Sequence, residues 1–425
     1  MVNKTDLAII GSGPGGYITA IRAAKLGIET TVVEKGHLGG VCLNWGCMPT
    51  KSLFHLAQTL DYVKKADAIG VNIKGYEVDF KKVMERKDTV VNILRKSIES
   101  HFKKNNINLI KGEAKLVSEN KIDIEGQSLE AKNIIIATGS SPSQIPPFDF
   151  SKEGILTNRK VLSLESLPSS MLVVGGGVIG SEFANIFSTL GTKVTIIEIL
   201  PTILAAEDDE VSGLMASVFK DKGIEVLTDS TVESVEGKDG NFVCKTKEEK
   251  EIKAEKILIS VGRKPNTENI GLEEVGVETD SKGYIKVNSK LQTNMENIYA
   301  IGDAIGGYQL AHVASSEGKI AVENILGKDK SIDYNSVPYA VFTMPEIGVV
   351  GLTEKKAKEK GINIKIGKFP FTHNGKAFID NETEGFVKII ASEDTGEILG
   401  AHAIGPRASD IIHEAVVAMK GELPI

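Results

Sequence analysis

Cysteine is scarce in this chain: 425 residues hold three, Cys42, Cys47 and Cys244. That excludes the disulfide framework that staples small secreted domains, and turns attention to the one close pair. No apolar run approaches the roughly 18 residues of a membrane span. The first apolar run, residues 7–10, is short and leads straight into glycines, unlike a secretory leader. Positive charge is not in excess either, since the formal net charge is −7. General binding to nucleic acid or to an anionic membrane surface needs basic patches and is not expected. Histidine occurs seven times, and no two lie at metal-ligand spacing. The expectation is a cytoplasmic, non-membrane protein with no metal site.

Glycine, by contrast, is abundant: 43 residues, against a usual share of about 7%. The length suggests two to four domains. Many of the glycines fall in an internal repeat. Residues 6–35 read DLAIIGSGPGGYITAIRAAKLGIETTVVEK, and residues 170–199 read SMLVVGGGVIGSEFANIFSTLGTKVTIIEI. A shift of 164 places Gly11 on Gly175, Gly13 on Gly177, Gly16 on Gly180, Gly27 on Gly191 and Glu34 on Glu198.

Each copy predicts an apolar strand (7–10; 172–174), G-x-G-x-x-G, a helix, and a β-branched strand (30–33; 194–197) ending in an acid. The first glycine makes the turn, the second admits a pyrophosphate to the backbone, and the third lets helix and strand pack closely. The helix N-terminus favours the anion, and the acid accepts hydrogen bonds from ribose hydroxyls. One such loop is weak evidence; two in full order with identical spacing make a dinucleotide-binding pair. Glu198 suits a free 2′-hydroxyl and repels a 2′-phosphate, and no arginine lies between Glu182 and Glu210. NAD is therefore expected rather than NADP. A weaker echo follows each copy: NIIIATGS (133–140, with Thr138 and Gly139) and KILISVGR (256–263, with Gly262). Both read as strands returning to the ligand.

The segment GGVCLNWGCMPTK, residues 39–51, holds Cys42 and Cys47 with four residues between them. Geometry, not spacing, decides whether they reach each other. Zinc would need about four ligands, and only two thiols are local. Two inert buried thiols are the bland reading. A redox pair doing thiol–disulfide exchange beside the first nucleotide loop is the favoured one.

With these motifs together, the chain resembles the pyridine nucleotide–disulfide oxidoreductases, and among them the dihydrolipoamide dehydrogenases. VGRKPN (261–266), YAIGDA (299–304), LAHVASSEG (310–318) and PYAVFTMPEIGVVGLTE (338–354) carry the likeness along the rest of the chain. The resemblance implies an α/β protein: two Rossmann-like dinucleotide-binding domains, for FAD and NAD, and a C-terminal α+β dimerisation domain. It implies an FAD domain in two parts, 1–143 and 263–334, an inserted NAD domain at 144–262, and an interface domain at 335–425. Gly11, Gly13, Gly16 and Glu34 would bind the ADP half of FAD, and Asp303 its ribityl chain. Ala114, Thr138, Gly139, Gln309 and His312 would add contacts. Gly175, Gly177, Gly180 and Glu198 would bind NAD, with Val232 and Gly262 lining that cleft. Cys47 would face the flavin and Cys42 would attack substrate. Lys51 would approach the flavin and pair with Glu182; the bland reading of that pair is a surface salt bridge.

The implied activity is oxidation of a dihydrolipoyl group with reduction of NAD. The implied assembly is a homodimer serving a 2-oxo acid dehydrogenase or glycine cleavage complex. Glutathione-reductase-like, mercuric-reductase-like and transhydrogenase activities are the rivals within the class; a non-catalytic dinucleotide-binding module is the rival outside it. The family also carries a His–Glu pair, in a pattern like H-x-H-P-T-x-x-E, that does not occur before Ile425. The interface domain is therefore expected to be truncated. His413 and Glu414 are adjacent, about 100° apart on a helix, and read as structural.

Overall fold

The run LAII is buried on both sides, as a parallel strand between two layers requires. It ends the strand Asn3–Ile10, which pairs in parallel with Thr30–Glu34 on one side and with Gln127–Ile136 on the other. Alternation divides its side chains between two cores. Leu7 and Ile9 join Val32, Ile98, Phe102 and Ala321, whereas Ala8 and Ile10 join Leu116, Ile122 and Ile124. Helices therefore cover one face, among them Pro14–Lys25, Phe80–Lys104 and Ala311–Ile325. Short antiparallel strands cover the other. Asn108–Lys111 extends the parallel sheet at one edge, and Ile298–Ala300 pairs in parallel with Gln127–Ile136.

The computed structural model describes residues 3–425. They fall into two units, of which the one just described contains residues up to Thr50, Glu85–Ser143 and Arg263–Ile332. The second unit contains Lys51–Met84, Gln144–Gly262 and Asp333–Ile425. It repeats the plan. Ser170–Val174 lies between Lys193–Ile197 and Lys256–Ile259, all parallel. Glu225–Leu227 and Ile155–Leu156 close the two edges. Again alternate residues serve opposite cores: Met171 and Val173 meet Phe183, Phe187 and Phe219 from helices, while Leu172 and Val174 meet Phe242 and Ile252 from an antiparallel meander. Phe187 is fully buried, and truncating it to alanine would cost about 3–5 kcal/mol.

The same unit holds a five-stranded antiparallel sheet. Its order is Pro338–Val341, Glu346–Gly351, Ile398–Gly405, Phe386–Ser392, Ile364–Pro370, with the helix Ala408–Lys420 on it. The architecture is thus two Rossmann-like α/β layers and a C-terminal α+β module. The strand signals at 339–351 resolve into a hairpin, turned at Phe342–Pro345 around a cis Met344–Pro345 bond. Between Cys47–Lys65 and Phe80–Lys104 the helical path is interrupted. Gly70 takes the left-handed conformation that ends a short 3-10 turn, and residues 71–79 have no regular structure before Phe80 resumes the helix.

Candidate functional site

The first glycine loop is shaped by what a side chain would strike. A Cβ on Gly11 would lie 2.4 Å from the Ala137 carbonyl oxygen, and one on Gly16 would lie 2.0 Å from that of Gly11. Strand and helix meet too closely there for any other residue. At Gly13 the nearest atom would be 4.0 Å away. That Cα, with Gly40 as its neighbour, stands at the start of the helix Pro14–Lys25, whose N-cap makes no side-chain hydrogen bond. Amides left free at a helix N-terminus are what a pyrophosphate requires. Glu34 accepts hydrogen bonds from the Ser12 amide (2.9 Å) and hydroxyl (2.6 Å) through one oxygen, and from the Gly36 amide (2.6 Å) through the other. The oxygen that takes the Gly36 amide keeps a lone pair for a ribose hydroxyl, whereas both acceptor sites of the other are filled by Ser12.

The second loop repeats this pattern, without a counterpart to the Ser12 hydroxyl bond. A Cβ on Gly175 would lie 2.5 Å from the Ser260 carbonyl oxygen and one on Gly180 2.0 Å from that of Gly175, while one on Gly177 would meet nothing within 4 Å. Glu198 accepts from the amides of Gly176 (2.6 Å) and Leu200 (2.9 Å). Those two residues are Ser12 and Gly36 shifted by the repeat. Two dinucleotides fit these residues.

The cysteine segment packs on the first loop. The Gly39 amide donates to the Ser12 carbonyl at 2.9 Å, and a Cβ on Gly40 would lie 2.6 Å from the Gly13 Cα. Gly39 and Gly40 both have positive φ, 95° and 60°. The chain then forms a short helix, Gly40–Trp45, breaks at Gly46, and starts the helix Cys47–Lys65. Pro49 sits in its first turn, where no donor is needed. Cys42 and Cys47 flank the break and are joined as a disulfide, with Cα atoms 4.6 Å apart. Cys244 is buried elsewhere, and its apolar surroundings push the thiol up to about 12, so it stays protonated and inert. No group of three or more metal-ligating side chains occurs among the described residues.

Asp303 lies on the 3-10 turn Gly302–Ile305. It accepts a hydrogen bond from the Ser140 hydroxyl, and the Arg263 guanidinium stands 3.7 Å away. Arg263 also donates to the Ser140 hydroxyl (2.7 Å) and carbonyl (2.6 Å). Burial lowers the Arg263 pKa and Asp303 opposes that shift. Sequence reading singled out Asp303 but neither partner, although Ser140 closes ATGS and Arg263 opens RKPN. The Thr138 carbonyl accepts from Asn266 (3.0 Å), and Gly139 has φ of 71°. Ala114 is buried at the start of the strand Ala114–Ser118. Gln309 has φ of 50° and bonds the Tyr284 hydroxyl at 3.3 Å. His312 lies in the first turn of Ala311–Ile325.

In the second unit Lys51 donates to both oxygens of Glu182 at 2.8 Å. Glu182 is 4% exposed, which rules out an ordinary surface bridge. It also accepts from the Phe342 amide at 3.0 Å, and the Lys51 ammonium lies 4.5 Å from the centre of the Phe342 ring. Phe342 was not singled out in the sequence, because nothing local links it to position 182. Val232 is buried, and Gly262 has φ of 118° with open space at its Cα. His413 bonds the Ser409 carbonyl one turn back on its own helix. No helix among the described residues is long and apolar enough to cross a membrane.

Comparison with known proteins agrees with this geometry. Residues 5–318 match the family model of pyridine nucleotide-disulphide oxidoreductases, and residues 337–425 match the dimerisation domain of the same family. A dihydrolipoyl dehydrogenase of Chlamydia muridarum is 41% identical over 99% of this chain and 91% of that relative. One of Bacillus subtilis is 43% identical over 98% of this chain and 90% of that relative. Among solved structures, LpdA of Mycobacterium tuberculosis superposes with a TM-score of 0.92 at 27% identity, covering all of this chain and 94% of the other. The Cu(II) complex of the HOCl-induced flavoprotein disulfide reductase RclA of Escherichia coli does so with 0.90 at 29%, with the same coverage. The chain belongs to the pyridine nucleotide-disulphide oxidoreductase family.

Proposed function

We propose that this chain is an FAD-dependent dihydrolipoyl dehydrogenase that reduces NAD. The observation that carries the reading is the Cys42–Cys47 disulfide seated on the first glycine loop. A dihydrolipoyl thiolate attacks Cys42, and the Cys42–Cys47 bond breaks with its electron pair leaving on Cys47. The second substrate thiol then displaces Cys42, releasing the cyclic disulfide and leaving both cysteines reduced. Two protons leave the substrate thiols. When bound, FAD supplies the carrier between this dithiol and NAD.

In this reading the first loop, Glu34 and Asp303 hold FAD, with Ala114, Thr138, Gly139, Gln309 and His312 beside it. The second loop, Glu198, Val232 and Gly262 hold NAD. Lys51 and Glu182 tune the flavin end. The domains run 1–143 with 263–334, 144–262 and 335–425. The matched dimerisation domain supports a homodimer and the relatives' printed names a dihydrolipoyl substrate; in this reading the homodimer is cytoplasmic and serves a 2-oxo acid dehydrogenase or glycine cleavage complex.

The test is steady-state turnover of dihydrolipoamide with NAD and with NADP, on this chain and on one extended through the family's H-x-H-P-T-x-x-E segment. Turnover with NAD, at least about 100-fold above NADP in kcat/KM, is the expected result. A preference for NADP, or reduction of glutathione disulfide in place of lipoamide, moves the chain to another branch of the family. Protein that stays colourless after reconstitution with FAD ends the reading.

A further inference from the structure

Asn44 stands between the two redox cysteines and is 7% exposed. Its amide nitrogen donates to the carbonyls of Leu38 and Gly40, both at 2.9 Å. Its oxygen accepts two bonds from Arg95, from Nε at 3.1 Å and Nη2 at 2.7 Å. All four hydrogen-bonding positions of the amide are filled. Arg95 comes from the helix Phe80–Lys104, on the stripe that carries Val91, Ile98 and Phe102 into the core. A charged side chain on that stripe must find a partner; besides Asn92 on its own helix (3.3 Å), Arg95 finds Asn44, whose amide ties the Leu38 carbonyl to the cysteine helix.

That helix, Gly40–Trp45, has six residues and ends at Gly46. It is too short to hold itself. While Cys42 is bonded to Cys47, the covalent link fixes it. Once the disulfide opens, the link is gone, and the bonds from Asn44 to Leu38, Gly40 and Arg95 remain. We infer that Arg95, acting through Asn44, is a positioning residue that holds the Cys42 thiol within reach of Cys47 in the reduced enzyme, and so sets the dithiol–disulfide equilibrium. The strap is redundant in the oxidised form and restrictive in the dithiol. Its loss frees the dithiol, makes ring closure less favourable and makes the disulfide easier to reduce.

The inference rests on Cys42 and Cys47 being a redox pair, and not on which disulfide the enzyme serves. The experiment equilibrates wild type, Arg95→Ala, Arg95→Lys and Asn44→Ala with thiol–disulfide buffers of dithiothreitol. The dithiol fraction is counted by alkylation and mass. NADH-to-ferricyanide turnover is read in parallel, since it draws on the flavin without passing through the cysteines. Arg95→Ala and Asn44→Ala are expected to shift the equilibrium about tenfold toward dithiol, a potential about 30 mV less negative. Arg95→Lys, with a single donor group, is expected to lie between, and ferricyanide turnover to hold. An unchanged equilibrium in Arg95→Ala overturns the inference. So does an equal fall in ferricyanide turnover, which marks Arg95 as mere support for the nucleotide loop. If Arg95→Ala gives no soluble flavoprotein, Arg95→Gln carries the same expected sign. Wild type that exchanges with dithiothreitol but never turns over lipoamide defeats the substrate reading and leaves this one standing.

Discussion

Cys42 and Cys47 sit on different helices despite their bond. In the proposed cycle Cys42 meets substrate and Cys47 faces the flavin. Cys42→Ser should therefore drop lipoamide turnover by about 10³-fold or more, measured with dihydrolipoamide and NAD. It should keep the long-wavelength absorbance that a Cys47 thiolate beside the flavin gives on anaerobic reduction. Cys47→Ser should lose that band; retention of it would reverse the assignment. The cysteines, Glu34 and Glu198 were legible one residue at a time, since each lies within one local motif. The partners of Asp303 were not. Ser140 and Arg263 lie 163 and 40 residues from it in sequence, and no local spacing joins them.

At the scale of elements, the two glycine loops make a sharp distinction between glycines that serve the fold and glycines that serve a ligand. A Cβ on Gly180 would meet the Gly175 carbonyl oxygen at 2.0 Å and the Ser260 hydroxyl at 2.7 Å, whereas one on Gly177 would meet nothing. Gly180→Ala is expected to destabilise the protein by about 1–3 kcal/mol through overpacking, read as a lower midpoint in urea. Gly177→Ala is expected to leave that midpoint alone and to raise KM for NAD about tenfold or more, a loss of roughly 1.4 kcal/mol of binding. Equal effects of the two on stability would remove the distinction. The strands and helices of the repeat were readable from apolar periodicity. The break at 71–79 was less so, because Gly70 stops the helix through its conformation and not through any loss of apolar pattern.

Across the second unit as a whole, buried charge ties the nucleotide layer to the C-terminal sheet. Lys388 is 1% exposed and bonds Asp208 (3.1 Å), Glu210 (2.9 Å) and Glu354 (2.8 Å). Next to them Glu207, 4% exposed, accepts from the Tyr339 hydroxyl at 2.8 Å. Burial raises the Glu207 pKa from 4.5 to about 7, and the Tyr339 bond only partly offsets that. A raised acid holds its proton more tightly folded than unfolded. The stability of the neutral form is complete below about pH 4.5, and is lost as pH rises through about 7. The loss is about 3 kcal/mol at most. Glu207→Gln keeps an acceptor for Tyr339 and cannot ionise. Its melting temperature should match wild type near pH 4 and exceed it at pH 8. A gap independent of pH would exclude Glu207 as the titrating group.

The sequence by itself determined the two nucleotide loops and their acids, while the redox pair and the order of the layers came with the family resemblance. Each loop is written in a contiguous stretch whose glycine spacing has one physical solution. Only the tertiary structure decided which charges are buried and what satisfies them. FVKII reads as a strand with a charge on its inward face, and Lys388 is tolerable there because three carboxylates arrive from distant parts of the chain. Arg95 on Asn44 and Arg263 beside Asp303 have the same origin. A buried polar group must be paired, and the partner is chosen by whichever element packs against it, which is a property of the fold and not of the neighbouring sequence.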